Sequence, residues 1–132
     1  MSRDFRRAVV DTILPGEAGL PSGTTAGVAI ADGDAPLLAA IAAAAGGEAA
    51  FAGGAEALRT EALRQVEREM PEAFRLLVAS LLADYYESAT ALAALGWRSA
   101  PPQPSGHAMP PDDETLPPLL ERVRRRGEVW RR

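Results

Sequence analysis

Phe5, Ala8, Val9, Thr12 and Ile13 recur at helical spacing, so the chain predicts a first helix over residues 3–14. Ser2 is its expected N-cap, and Pro15-Gly16 ends it. Residues 15–25 read as a loop rich in proline and glycine, with Thr24 or Thr25 capping a short helical turn near Ala26 to Ala31. Asp32-Gly33-Asp34 breaks that turn. Asp34 then caps a second helix, with Pro36 in its first turn, Leu37, Leu38 and Ile41 as its apolar residues, and Gly46-Gly47 as its stop.

A third helix is expected over about 55–69, after Gly53-Gly54. Leu58, Ala62, Leu63, Val66 and Met70 form its buried side. Arg59, Glu61, Arg64, Glu67 and Arg68 form its wet side, with Glu61–Arg64 and Arg64–Glu67 at i,i+3. Pro71 opens a fourth helix over about 71–87, the clearest periodic signal in the chain. Phe74, Leu77, Val78, Leu81, Leu82 and Tyr85 follow i, i+3, i+4, i+7, i+8, i+11, which puts this stripe at the centre of the core. Ser88 caps a short fifth helix through Leu92 and Leu95, closed by Gly96.

After Trp97 the pattern changes. Residues 100–118 hold seven prolines and few large apolar groups, which suits extended chain wrapping over the surface. A short basic helix over about 117–126 follows. The expected fold is all-α: a small bundle of about five helices over 1–98, with 99–132 as a proline-rich wrap and basic tail of the same domain. No internal repeat is present.

Composition sharpens this reading. Hydrophobic residues make up 47% of the 132, but 27 of them are alanine, which favours helix and buries little area. The larger apolar groups, or a partner, must supply the driving force. β-Branched and aromatic residues are sparse, which disfavours a sheet. The net charge of −4 disfavours a nucleic-acid partner. All 14 basic residues are arginine, as a GC-rich coding genome would give. Without cysteine there is no disulfide, thiolate nucleophile or Cys-ligated metal. The longest apolar run, Ala35 to Ala45, is too short to span a bilayer. Arg6-Arg7 is a twin arginine, yet Asp11 and Pro15-Gly16-Glu17 leave no room for the apolar stretch of a leader.

Candidate chemistry is thin. His107 is the single histidine, and with Asp112, Asp113 and Glu114 it could form a loose cation site. The same acids read more simply as a solvated turn before a helix. Ser22, Ser80, Ser88, Ser99 and Ser105 lie in no nucleophile elbow. Gly16, Gly19, Gly23 and Gly27 do not spell a phosphate loop. The sequence therefore predicts no catalytic, cofactor-binding or metal-binding residue. Arg122, Arg124, Arg125, Arg126, Arg131 and Arg132 concentrate positive charge at the tail. They suit an anionic surface, a nucleic acid or an acidic partner, although a solvated helix end is the simpler reading. Trp130 beside them has the composition of an interface anchor, and Tyr86 and Trp97 are expected at the rim.

Two stretches resemble a known family. Ala83-Asp84-Tyr85-Tyr86-Glu87-Ser88-Ala89-Thr90, Leu95-Gly96-Trp97 and Pro101-Pro102-Gln103-Pro104-Ser105-Gly106 form one. Val10-Asp11-Thr12-Ile13-Leu14-Pro15, with Ala26-Gly27-Val28, forms the other. Together they resemble the gluconate 2-dehydrogenase subunit 3 family over most of the chain. The resemblance implies a helical accessory subunit, not itself an enzyme. Such a subunit partners a large flavin-dependent oxidoreductase of the glucose-methanol-choline type, often with a cytochrome subunit, and assists its maturation, stability or export. It carries over only Tyr85-Tyr86 and Gly96-Trp97, as structural or interface features, and implies no catalytic residue. With the tail arginines and Trp130 read from composition, the expected partner-binding residues are Tyr86, Trp97, Arg98, Arg124, Arg125 and Trp130. Members commonly carry a twin-arginine leader. The present chain therefore implies a cytoplasmic variant, or a periplasmic one whose leader lies on the partner or was removed. The alternative reading is a module that binds an anionic surface or nucleic acid through the terminal arginines.

Overall fold

The computed structural model describes residues 1–98, 106 and 116–126, and these residues are mainly helical with no strand among them. The chain divides into two units, Met1–Arg98 and Ser99–Arg132. The first unit holds six helices: α1 (Arg3–Ile13), α2 (Ala35–Ala44), α3 (Glu48–Gly53), α4 (Glu56–Glu69), α5 (Pro71–Glu87) and α6 (Ala89–Ala94). The second holds α7 (Leu116–Arg126). The expected extended wrap falls mostly outside the described residues.

Caps set the boundaries. Ser2 Oγ accepts from the Phe5 amide at 3.3 Å to open α1, and Ser88 Oγ accepts from the Ala91 amide at 3.0 Å to open α6. Two helices close in the same way. Gly46 and Gly96 take left-handed φ of 81° and 70°. The amides that follow, of Gly47 and Trp97, reach back to the carbonyls of Ala42 and Leu92 at 2.7 and 2.9 Å. Asp34 stands at the N-cap of α2, but its side chain makes no capping bond; a 3-10 turn over Asp32–Asp34 leads in instead.

The core gathers on α4, which packs against α1, α2 and α5. It buries Ala62, Leu63 and Val66 against Phe5, Val9 and Val10 of α1 and Leu37, Leu38 and Ile41 of α2. Leu58, expected on this side, is 41% exposed. It lies four residues before Ala62 and eight before Val66, so the 3.6-residue turn carries it to the edge of the buried arc. Arg59 turns inward instead. Its Nε and Nη2 donate to the carbonyls of Phe51 and Ala52, both at 3.1 Å, and satisfy the end of α3. The expected i,i+3 pairs do not close within 4 Å among the described residues; Arg68 pairs with Glu61 at 3.2 Å.

Two elements differ from the sequence expectation. The six-residue helix α3 lies between two glycine pairs, in a stretch to which the sequence pattern assigns no element. Its Phe51 is fully buried and meets Phe5 edge-on, with ring centroids 5.5 Å apart. The helical turn expected over Ala26 to Ala31 forms earlier and closes at once. The Gly27 amide donates to Thr24 O and the Val28 amide to Gly23 O, with Gly27 at φ 86°. From Val28 onward the backbone runs non-helically, and Ala26, Val28 and Ile30 point alternately into the core. A left-handed residue cannot continue a right-handed helix, and burying every second side chain is worth more here than one further turn.

Asp11 fastens this loop to α1. Its carboxylate accepts from the Thr24 amide at 2.9 Å and from Thr24 Oγ1 at 2.6 and 2.8 Å. Burial raises its pKa, but the Thr24 side-chain and backbone bonds, with Ser22 and Arg7, outweigh that and hold it below the usual carboxylate value. A depressed folded pKa contributes stability that is present above the unfolded pKa and lost as pH falls through the folded one. Asp11→Ala should therefore cost about 1–3 kcal/mol at neutral pH. The difference from the parent should shrink below about pH 4 as the carboxylate is protonated. Urea midpoints of both proteins at pH 7 and pH 3 check this; a pH-independent difference would contradict it.

Candidate functional site

The stripe on α5 lies at one side of the bundle rather than at its centre, because the helix packs chiefly on α4 and α6. Only Leu77, Leu81 and Tyr85 are buried. Tyr85 is held by a hydrogen bond from its hydroxyl to Pro21 O at 2.8 Å, which clamps the 15–22 loop onto α5. Ala73 and Phe74 pack half-buried against the core, and Leu76, Leu82 and Tyr86 turn toward solvent.

Phe74, Val78, Leu82 and Tyr86 follow one another at i,i+4 and form a single line along the helix. Phe74 and Val78 are half-buried, Leu82 is 37% exposed and Tyr86 57%. A hollow lies at each end of this line. One, of about 390 Å³, is lined by Pro71, Phe74, Val78 and Arg75, with Glu67 and Glu72 at its edge. The other, of about 210 Å³, sets Leu82 and Tyr86 across from Leu14, Pro15 and Leu20. Tyr86 leans edge-on against Tyr85, with ring centroids 5.6 Å apart, so its ring is braced while its face is open. Just beyond α6, Leu95 is 50% exposed and Trp97 69%. The Trp97 amide is fixed on Leu92 O, so the backbone that carries the indole is set by the helix end.

No protein-family model, curated protein or solved structure matches the chain.

The residues singled out from sequence thus fall into two groups. Tyr86, Trp97 and Arg98 are exposed residues of the first unit, on α5 and after α6. Arg124 and Arg125 belong to α7 of the second unit, where both are exposed and Arg125 pairs with Glu121 at 3.4 Å. Trp130, His107, Asp112, Asp113 and Glu114 lie outside the described residues. Among the described residues no three acidic or histidine side chains gather at metal-binding distance, and no helix is long and apolar enough to cross a membrane. Sequence reasoning placed Leu82 in the core and passed over Leu20 and Pro15. Their shared hollow depends on the loop folding back onto α5, which no local pattern announces.

Proposed function

We propose that the chain is a non-catalytic accessory subunit that docks onto a larger flavin-dependent oxidoreductase through the open side of α5 and the end of α6. The observation that carries this is the line of Phe74, Val78, Leu82 and Tyr86 on α5, together with exposed Leu95 and Trp97 after α6. Single exposed apolar residues are ordinary. A braced tyrosine, a tryptophan and an apolar ridge with hollows at both ends are the materials of an interface centre. The resemblance to the gluconate 2-dehydrogenase subunit 3 family supplies the class of partner, of the glucose-methanol-choline type with or without a cytochrome subunit. It bears on the same Tyr85-Tyr86 and Gly96-Trp97 positions.

The test is affinity purification of the tagged chain from its own host, with the co-purifying protein examined for bound flavin by absorbance. The parent should recover a flavoprotein. Tyr86→Asp and Trp97→Ala should recover at least tenfold less while unfolding at the parent's midpoint, since exposed positions contribute little to stability. Equal recovery by parent and variants, or a monomer without flavoprotein, would overturn the assignment.

One observation favours the second reading. On α7, Leu120 and Val123 are exposed together with Arg122, Arg124, Arg125 and Arg126, the make-up of a helix that meets an anionic surface. Recovery of nucleic acid or anionic lipid alone, lost in Arg124→Ala and Arg125→Ala, would turn the assignment to that helix.

A further inference from the structure

A third hollow, of about 350 Å³, opens between α1 and the Thr24–Ile30 segment. Three arginines line it, Arg3, Arg6 and Arg7, which share one side of α1 by their i, i+3, i+4 spacing. Its floor is aliphatic, made by Val10, Val28 and Ile30. We propose that this groove binds the phosphate group of a small phosphomonoester, with Arg3, Arg6 and Arg7 as the anion ligands and the aliphatic floor under the ligand's body.

The arginines are arranged for this. Arg6 is half-buried and fixed. Its Nη1 donates to Ile30 O at 3.3 Å and to Asp32 Oδ1 at 2.9 Å. Both bonds use one nitrogen, so Nε and Nη2, the edge that grips an oxyanion with two parallel bonds, have no partner among the described residues. Arg3 and Arg7 make no ion pair among the described residues. Of the acids nearby, Asp32 is engaged by Arg6, Asp11 by Thr24 and Glu48 by the Ser2 amide, while Asp4 stands exposed on the same helix.

The three arginines repel one another, and Asp32 and Asp11 offset this only in part. Like charges at i,i+4 repel, and the start of a helix disfavours cations. An anion with two charges and three acceptor oxygens removes that repulsion and satisfies several guanidinium donors together, which a single carboxylate does less well. The volume lies at the small end of ligand sites, roughly 300–1,000 Å³, and so fits a mononucleotide-sized molecule rather than a polymer.

The inference is independent of the docking face on α5 and is tested separately. Isothermal titration with inorganic phosphate, AMP and uncharged adenosine should show AMP and phosphate binding and adenosine not. Arg3→Gln and Arg7→Gln should each weaken AMP binding about tenfold or more. Arg3→Gln should also leave the melting temperature of the ligand-free protein unchanged or slightly raised, because it removes a repulsion, whereas Arg7→Gln also removes an attraction to Asp11. A merely structural arginine would lower it. Absence of AMP and phosphate binding at millimolar concentration would overturn the proposal, as would equal binding by an Arg3→Gln/Arg7→Gln double variant. Vesicles of phosphatidic acid are the control for the other source of the same group. Binding to them without binding to AMP would assign the arginines to a membrane surface and likewise overturn it.

Discussion

Phe51→Ala should lower the unfolding free energy by about 3–5 kcal/mol, the usual range for removing a fully buried aromatic ring. The ring has no exposure at all and contributes the sole large apolar side chain of α3. It sits where α3 meets α1 and α2, with its edge or face on Phe5 at 81° between planes. Once it is removed, α3 keeps only polar ties at its ends, from the Ser2 amide to Glu48 and from Arg59 to its last carbonyls, and so short a helix is not stable by propensity. The carbonyls of Phe51 and Ala52 would then lose the shape that Arg59 recognises. With total stabilities of small domains near 5–15 kcal/mol, the variant stands close to the threshold. Urea unfolding gives the number. To separate ring contact from burial, Phe5→Leu, Phe51→Leu and the double variant should show a coupling of about 0.5–1.5 kcal/mol. Additive single effects would mean that the edge-on geometry adds nothing beyond the buried area.

That this residue escaped the sequence pattern has a simple reason. Periodicity needs at least two large apolar residues on one element, and α3 has one, set between Gly46-Gly47 and Gly53-Gly54. The second glycine pair is partly explained by sterics: a Cβ on Gly54 would stand 2.6 Å from Ala50 O. By contrast, α5 was legible from Pro71 to Glu87, because proline at the first position and a serine cap at the next boundary are local signals. What no local signal carries is which part of a wide apolar stripe finds a neighbour. Leu82 and Leu81 read alike in sequence, yet Leu81 is buried in the core and Leu82 is 37% exposed. Tyr86 and Trp97 were readable as rim residues because each carries a polar atom that resists full burial. The arginine groove was not readable, since its second wall is a loop whose path is set by the Asp11–Thr24 staple and the left-handed Gly27.

The same geometry makes α5 a helix with two unlike sides, and truncations along it should sort accordingly. Leu81→Ala should cost about 2–5 kcal/mol, because Leu81 is almost fully buried in the core cluster. Leu76→Ala, at a position 60% exposed and off the stripe, should fall within about 0.5 kcal/mol of the parent. Leu82→Ala should resemble Leu76→Ala far more than Leu81→Ala, although the three share a residue type and a helix. Chemical denaturation of the three variants reads this order directly. If Leu81→Ala unfolds at the parent's midpoint, α5 is not packed as described. If Leu82→Ala is as damaging as Leu81→Ala, the line from Phe74 to Tyr86 is part of the core and the docking face loses its footing. A large cost at Leu81 with none at Leu82 leaves an apolar ridge that the chain's own stability does not require, which is the condition for that ridge to serve a partner.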